Sequence, residues 1–268
     1  MLCNSGGDQV REDHYLGLLR EQRSYGILMT PVSEKNKKIS EIRRQGTLVV
    51  FVDRQSGELQ CSVSVEDDVG GQLAAAHLIA LGHRRIAFVG GPLTTRQVTD
   101  RLSGARAATR RQGLRDDAKL IETTGLNVTA GRYAGHRITM MSKATRPTGG
   151  LLRQRPDRAG SAAEETRQRL EVPGDLAIVG YDDIEFAAAA AVSLTSVRQP
   201  RAQLGHAAAE LLIEEVSARK THEHRQVVFR PELVVLASTE GAPTPKRRDG
   251  RPVNCFRPSG PVPRPHRL

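Results

Sequence analysis

Short runs of consecutive apolar residues recur along the chain, separated by longer amphipathic stretches. Four of these runs predict strands, at residues 26–31, 48–52, 85–91 and 176–181. Their apolar residues are continuous instead of alternating with polar ones, which is typical of parallel strands covered on both faces. The pattern therefore predicts a buried, parallel β-structure.

The amphipathic stretches between these runs predict helices. Apolar residues recur at intervals of three and four positions within residues 15–22, 73–81 and 204–212, which places them on one face of a helix. The second stretch is followed by Gly82, a residue type suited to ending a helix. Strands and helices that alternate in this way predict an α/β protein with parallel sheets.

Composition indicates what the core is made of. Hydrophobic residues are 38% of the 268 residues, aromatic residues are only 3%, and Trp is absent. The core must therefore consist mainly of Leu, Val, Ile and Ala. A chain of this length can form one large domain or two small ones.

The chain is basic, with a formal net charge of +10, which by itself favours a nucleic-acid or anionic-membrane partner. The charge is uneven, because residues 243–268 hold seven Lys or Arg, one acidic residue and seven of the 14 Pro. More than half of the net charge thus belongs to this end. We expect residues 241–268 to be a disordered, basic, proline-rich tail outside the fold.

Nothing in the sequence predicts export or membrane insertion. No run approaches the ~18 uninterrupted apolar residues of a membrane-spanning helix, and the first residues lack the charged and apolar regions of a signal peptide. The cysteines, Cys3, Cys61 and Cys255, are odd in number and far apart, which predicts neither a disulfide framework nor a zinc knuckle. We expect a cytoplasmic protein.

Motifs for catalysis and cofactor binding are absent from the sequence. It contains no G-x-S-x-G, no G-x-x-x-x-G-K-[ST], and no complete dinucleotide fingerprint around Gly90 and Gly91. His222 and His224 could hold a metal ion, but we expect no third ligand nearby, and their place in a predicted connection favours a solvated loop. We therefore predict no enzyme activity, no cofactor and no metal site.

Three sequence motifs are far more specific than periodicity. The first is DDVGGQLAAAHLIALGHRRIAFVGGP at residues 67–92, the second VPGDLAIVGYDD at residues 172–183, and the third LTSVRQP at residues 194–200. In this order and spacing they closely resemble the effector-binding core of the lactose-repressor (LacI/GalR) family of bacterial transcription regulators. The resemblance extends from residue 1 to about residue 239.

The resemblance implies a periplasmic-binding-protein-like fold of type I, in which two Rossmann-like parallel-sheet subdomains flank a ligand cleft. It implies three crossings between the subdomains, which we expect near residues 91–92, 195–199 and 222–225. The expected N-subdomain is then residues 1–91 plus 199–222, and the expected C-subdomain is residues 92–197 plus 225–240. Polar residues at the carboxyl ends of parallel strands, facing a crevice, make a small-molecule site.

The resemblance also implies which residues bind the ligand. In this family the ligand is usually a sugar or another small polar metabolite, and carboxylates and arginines suit its hydroxyl groups. By motif position we predict Arg101, in DRLSG at residues 100–104, and Asp182, after the strand that ends at Tyr181, with Asp67 as a weaker candidate. The alternative is that Asp182 caps a turn and Arg101 forms a solvated salt bridge.

The chain departs from the family at its beginning and in the middle. Full-length members start with a DNA-reading helix-turn-helix, which we expect this chain to lack. Residues 149–160 (GGLLRQRPDRAG) replace a family strand and its ligand-binding turn, and three Arg and a Pro predict that no buried central strand forms here. Codons that can encode residues 153–159 spell the family's Ala-Asn-Asp-Leu-Ile-Ala in the next frame. We hypothesise compensating frameshifts, with ordinary divergence as the alternative.

These observations predict the ligand-sensing and dimerising core of a LacI-type repressor, responding to a sugar or similar metabolite. We expect a homodimer, with helix 73–81 suited to the interface, and no operator recognition by this chain alone. Two alternatives remain open at this point. One is a non-functional, frameshifted remnant of such a regulator, and the other is a cytoplasmic sugar-binding module that works without DNA.

Overall fold

A computed structural model describes residues 1–33, 35–54, 60–114, 119–122, 128–152, 170–183, 192–218 and 221–240. The predicted tail at residues 241–268 lies outside the described residues, and so does the Arg-rich part of the replaced segment, residues 153–160. Within the described residues, no helix combines the length and the apolar character that crossing a bilayer requires.

Helices and strands alternate as the sequence pattern predicts. The helices are α1 (Gln9–Glu21), α2 (Lys37–Arg44), α3 (Asp67–Ala80), α4 (Arg96–Arg111), α5 (Val128–Thr139) and α6 (Arg201–Ser217). The strands are β1 (Gly26–Met29), β2 (Leu48–Val52), β3 (Ser62–Val65), β4 (Ile86–Gly90), β5 (Lys119–Glu122), β6 (Gly149–Leu152), β7 (Ala177–Tyr181), β8 (Thr195–Arg198), β9 (Gln226–Phe229) and β10 (Glu232–Val234). The four strands and three helices predicted from periodicity all form.

The described strands form two sheets. The first has the order β1-β2-β3-β9, and all of its neighbouring strands are parallel. The second has the order β10-β8-β7-β6-β4-β5, in which only β10 runs antiparallel to its neighbour. Two parallel sheets that alternate with helices confirm the predicted α/β class with two subdomains.

Helices cover both faces of each sheet, and the cores are aliphatic as the composition predicts. Along β2, Val50 packs with α6, while Val49 and Phe51 pack with α1 and α2 on the opposite face, because successive strand residues point to opposite sides. In the second sheet, α3 and α4 cover one face and α5 the other. The continuous apolar runs of the sequence reflect this two-sided burial.

The end of α3 follows the sequence prediction. Gly82 has a φ of +92°, a left-handed conformation that glycine adopts without steric cost. The backbone N–H of His83 then donates to the carbonyl of Leu78, and that of Gly82 to the carbonyl of Ile79. These bonds satisfy carbonyls at the helix end, so the chain turns directly into β4.

Two of the three predicted crossings are wrong. The strand β4, expected in the N-subdomain, pairs with β5 and β6 of the second sheet, so the first crossing falls at Glu66, between β3 and α3. The strand β9, expected in the C-subdomain, pairs with β3 of the first sheet, so the last crossing falls at Arg230 and Pro231. The passage from β8 to α6 coincides with the predicted crossing at residues 195–199. An apolar run predicts a strand but not the sheet to which it belongs.

The prediction that residues 149–160 form no central strand is wrong for their first four residues. The strand β6 lies inside the second sheet, paired with β4 and β7, and Leu151 is buried. Its residues are two Gly and two Leu, and the polar residues begin only at Arg153. The buried strand therefore contains none of the Arg residues on which the prediction rested. Those residues lie outside the described residues.

The apolar face of helix α3 is also used differently from the expectation. Ala74, Ala75 and Leu78 are buried against α4 and the second sheet of the same chain. The apolar residues for which we expected this helix to form a dimer interface are therefore part of the chain's own core.

Candidate functional site

The carboxyl ends of β2 and β3 face helix α4 of the other subdomain across a cavity of about 220 Å³. The cavity is lined mostly by polar and charged residues, including the carboxylates of Asp53, Asp67 and Asp100 and the side chains of Arg96 and Gln97. Ends of parallel strands at a crevice between two sheets are a common place for small-molecule binding. This cavity and the residues behind it form the candidate site.

A buried ion pair lies at the centre of the site. Arg101, on α4, is 3% exposed, and Asp67, the first residue of α3, is 7% exposed. Arg101 Nε donates to Asp67 Oδ1 at 2.6 Å. A charge-assisted bond of this length is strong and directional, so the solvated salt bridge considered as an alternative for Arg101 is wrong.

Glycines allow the helices to approach closely enough for this pair. A Cβ on Gly71 of α3 would lie 1.9 Å from the backbone oxygen of Arg101, and a Cβ on Gly104 of α4 would lie 1.8 Å from that of Asp68. Neither distance is possible for a real side chain. The GG of the first motif and the SG of DRLSG therefore permit the backbone contact between α3 and α4 that brings Arg101 to Asp67.

Tyr181, the last residue of β7, completes the packing around the pair. Its hydroxyl donates to Asp67 Oδ1 at 3.1 Å, and the Arg101 guanidinium carbon lies 3.5 Å from the centre of its ring. A cation stacked on an aromatic ring is stabilised by the ring quadrupole. Gly70 leaves the space for the hydroxyl, because a Cβ there would lie 2.1 Å from it.

Asp182 follows Tyr181 and carries the second carboxylate of the cluster. Its Oδ1 lies 3.9 Å from Arg101 Nη2 and accepts a hydrogen bond from Gln199 Nε2 at 2.8 Å. Its φ is +81°, a backbone conformation that Asp and Asn tolerate better than most residues. With 26% of its side chain exposed, Asp182 is accessible to a molecule that enters from solvent.

Burial and the neighbouring charges shape the protonation of these groups. Burial acts to lower the pKa of Arg101, but the charge of Asp67 and the groups of Tyr181 and Asp182 outweigh it, and the pKa is raised. Burial raises the pKa of Tyr181, partly opposed by Arg101 and supported by Asp67. The arginine therefore stays charged and the tyrosine stays protonated, so both act as donors at neutral pH.

The hydrogen-bonding capacity of the cluster is incomplete. Nη1 and Nη2 of Arg101 are both buried, and neither has a hydrogen-bond partner among the described residues. Buried polar groups are nearly always paired, and an unpaired one calls for an explanation. Two donors from Arg101 beside the accepting carboxylate of Asp182 form the arrangement that a hydroxyl-rich ligand satisfies.

A direct contact joins the subdomains beside the cavity. Gln97 Nε2, on α4, donates to both the backbone oxygen and Oδ2 of Asp53, which follows β2, at 2.9 Å each. At the crossings themselves, Arg230 Nε donates to Glu66 Oε2 at 2.9 Å. The two halves of the site are thus held together by polar contacts, which a change of subdomain orientation can break and re-form.

The structure brings all three predicted site residues together, since Arg101 is within 4 Å of both Asp67 and Asp182. Their ligand-binding role stays a prediction. Sequence reasoning missed Tyr181 and Gln199, although both stand within the quoted motifs. The signal for Tyr181 was its position at the end of a buried strand, directly before Asp182.

The prediction that His222 and His224 have no third ligand nearby is wrong. Cys61 Sγ lies 3.0 Å from His222 Nε2 and 3.7 Å from His224 Nδ1, and Glu215 lies beside them. Cys61 and the histidines are more than 160 positions apart in the sequence, so local spacing could not reveal the cluster. It lies at the amino end of β3, whereas Asp67 lies beyond the carboxyl end.

A second, larger cavity of about 610 Å³ lies against β1 and is lined by residues 1–5, by α1 and by Leu212. None of the three predicted site residues lines it, whereas Asp67 lines the smaller cavity, and Glu12 has the only charged side chain among the described residues around it. Glu12 is moreover engaged, because its carboxylate accepts from the backbone N–H of Val32 and from the Asn36 amide. The smaller cavity between the subdomains is therefore the better candidate site.

Comparison with known proteins gives one family. The model of the periplasmic binding protein-like domain matches residues 75–239. The ribose operon repressor of Escherichia coli (strain K12) is 31% identical over 241 residues, which are 89% of this chain and 72% of that protein. The HTH-type transcriptional repressor PurR of Aliivibrio fischeri (strain MJ11) is 29% identical over 241 residues, 88% of this chain and 71% of that protein.

A solved structure shares the fold. The crystal structure of a LacI family transcriptional regulator from Enterococcus faecium with bound ribose superimposes with a TM-score of 0.80. It is 24% identical in sequence, and the match covers 91% of this chain and 87% of the other. The periplasmic-binding-protein-like arrangement expected from the motifs is therefore confirmed.

Proposed function

The chain belongs to the LacI family of transcriptional regulators, and from this membership we propose that it is the ligand-sensing core of a repressor. We propose that its ligand is a sugar or a similar small polyhydroxylated metabolite, bound between the two subdomains. In this proposal Arg101 and Asp182 contact the ligand, and Asp67 orients Arg101. The protein is a sensor and not an enzyme.

The proposal rests mainly on two hydrogen-bond donors of Arg101, the nitrogens Nη1 and Nη2. Nη1 and Nη2 are buried and have no hydrogen-bond partner in the part of the chain that the structure describes, while Nε is fixed on Asp67. Leaving a buried charged donor unsatisfied costs free energy, and ligand oxygens would recover it. Asp182, already 3.9 Å from Nη2, would accept from the same ligand's hydroxyl groups.

The choice of a hydroxyl-rich ligand follows from the donor and acceptor balance. A guanidinium donates only and a carboxylate accepts only, so a group that does both, a hydroxyl, can bridge them. The relative named for the ribose operon supports a sugar. The described lining of the cavity is rich in carboxylates, which disfavours an anionic ligand.

Ligand binding would act on the orientation of the subdomains. The polar contacts between Gln97 and Asp53 and between Arg230 and Glu66 join the two halves beside the site. A ligand that contacts both halves favours the orientation in which it fits best. We further propose that the core acts as a homodimer in the cytoplasm, next to a DNA-reading element, which rests on family membership alone.

The test is thermal unfolding of the chain against a panel of pentoses, hexoses and disaccharides that includes ribose. A ligand at 100 times its Kd stabilises a protein by about 2.7 kcal/mol, which raises Tm by roughly 5–10 °C at this chain length. We expect a saturable rise with at least one sugar. No rise with any member of the panel contradicts the proposed ligand class.

Two variants assign the effect to the site. Asp182→Asn removes the charge but keeps the size and the tolerance of positive φ, and we expect the Kd of the responding sugar to rise about 10- to 100-fold. Glu41→Gln, an exposed position on α2, is the matched control and should leave the Kd unchanged. Equal Kd values for both variants would exclude Asp182 as a contact.

A further inference from the structure

Four side chains with metal-ligating atoms converge at the amino end of β3, opposite to the end that lines the cavity. They are Cys61, Glu215, His222 and His224, and one ligand atom from each lies within 4.8 Å of all the others. Cys61 Sγ is 3.0 Å from His222 Nε2 and 3.7 Å from His224 Nδ1, and the latter is 4.0 Å from Glu215 Oε1. We call these four residues the Cys-His cluster.

The fold assembles this cluster from three separate segments. Strands β3 and β9 start side by side, with Ser62 paired to Gln226 and the Ser62 N–H donating to the Arg225 carbonyl. Cys61 therefore stands opposite the residues that lead into β9, among them His222 and His224. Glu215 comes from the last turn of α6, which packs on the same sheet.

One member of the cluster is buried without enough partners. Glu215 is 8% exposed, and its Oε2 is buried with no hydrogen-bond partner among the described residues. A buried carboxylate is costly unless it is paired with a cation or bound to a metal ion. The nearby basic side chain of Arg225 does not serve it, because that guanidinium pairs with Glu214.

The donor set and its spacing fit a single tetrahedral ion. Zinc binds sulfur at about 2.3 Å and nitrogen or oxygen at about 2.0–2.2 Å, which places neighbouring tetrahedral donors about 3.3–3.7 Å apart. Three of the separations are 3.0, 3.7 and 4.0 Å, and all lie within 4.8 Å, so small side-chain adjustments would bring the four donors to this range. One thiolate, two imidazoles and one carboxylate are ligand types that Zn²⁺ accepts together.

We propose that the Cys-His cluster is a structural zinc site. The ion ties the start of β3 to the end of α6 and to the connection that leads into β9. All four positions are filled by protein ligands, so no open position remains for a substrate, which is typical of structural rather than catalytic zinc. The side chain of His224 is 30% exposed, which leaves a path for the ion to enter.

The close contact of Cys61 and His222 has another possible meaning, a thiol activated for nucleophilic attack. Reactive thiols need access to their electrophile, and Cys61 is 0% exposed. A nucleophile would also leave Glu215 and His224 without a role. The zinc site accounts for all four residues at once.

The test is zinc titration of the tag-free full chain, in competition with a chromophoric chelator. We expect one Zn²⁺ per chain, and a Tm that falls when a strong chelator is added. His224→Gln and Cys61→Ser should each weaken zinc binding at least ten-fold and abolish the effect of the chelator on Tm. His224→Gln alters a partly exposed residue, so it keeps the test valid if Cys61→Ser fails to fold.

Two controls separate this cluster from other cysteines and histidines. His206 lies on the exposed face of α6, and the variant His206→Gln should leave zinc binding unchanged. A variant with Cys3 and Cys255 replaced by Ser should still show the sulfur-to-metal absorption of bound Co²⁺, which is lost on adding Cys61→Ser. No saturable binding, or a one-to-one affinity that both cluster variants leave unchanged, overturns the proposal.

Discussion

Arg101 is fixed by contacts on three sides. Its Nε bonds to Asp67, its guanidinium plane lies on the Tyr181 ring, and Asp182 is 3.9 Å from Nη2. Among the described residues, nothing accepts a hydrogen bond from Nη1 or Nη2. A rigidly oriented donor pair of this kind needs no reorganisation when a ligand arrives.

Removing Asp67 should destabilise the protein strongly. Asp67→Ala leaves the Arg101 charge buried without its closest partner, and breaking a buried pair in this way costs about 3–5 kcal/mol. The free energy of unfolding from urea titration measures the loss. Asp68→Ala, at the next and exposed position, should cost less than about 1 kcal/mol, and equal losses for the two variants would contradict a buried pair.

At the scale of elements, the contact between α3 and α4 positions the site. The helices touch backbone to backbone at Gly71 and Gly104. Because these two residues have no side chains, the helices come close enough for Arg101 to reach Asp67. The glycines in the motifs that indicated the family are therefore needed for the packing of α3 against α4. The same helix α3 begins beside the cavity with Asp67 and ends at Ala80, shortly before the chain enters the second sheet as β4.

Enlarging Gly71 should separate the two helices. In Gly71→Ala the new Cβ would meet the Arg101 carbonyl oxygen at 1.9 Å, and we expect a loss of about 1–3 kcal/mol or more together with weaker sugar binding. Gly205→Ala, inside α6 with no atom within 4 Å of the new Cβ, should instead stabilise by about 0.5–1 kcal/mol. Thermal unfolding of both variants checks the contrast, and a stabilised Gly71→Ala would contradict the close helix contact.

The two histidines of the first motif should make stability depend on pH. Burial lowers the pKa of His77, and burial together with His77 lowers the pKa of His83. The unfolded chain therefore takes up these protons first as the pH falls, so the stabilisation is complete above about pH 6.5 and is lost below it. Nε2 of His83 is buried and has no hydrogen-bond partner within the described ranges, so a proton there has no acceptor among those residues.

Unfolding in urea between pH 7.5 and pH 5 measures this dependence. We expect the free energy of unfolding to fall with pH, and to fall less steeply in His83→Gln. The exposed His206 supplies the control, since His206→Gln should keep the steep dependence. A His83→Gln variant as sensitive to pH as the unaltered chain would show that other groups carry the effect.

At the scale of the whole molecule, sequence reasoning obtained the fold class, the family and the three residues of the central cluster. It misplaced two crossings, because the continuous apolar run of β4 predicts burial and not sheet membership, and because β9 (QVVF, partly exposed) belongs to no predicted run. It judged residues 149–160 as a unit, although β6 needs only Gly and Leu. It also missed the Cys-His cluster, because β3 and β9 bring Cys61 and His224 together from distant parts of the chain.

The central claim is that Arg101 and Asp182 receive a hydroxyl-rich ligand between the subdomains. The crystal structure of the chain with the sugar that raises Tm most tests it directly. We predict ligand oxygens within about 3.2 Å of Nη1 or Nη2 of Arg101 and of the Asp182 carboxylate. A sugar bound elsewhere, for example in the cavity against β1, with both Arg101 nitrogens still unpartnered, would contradict the account.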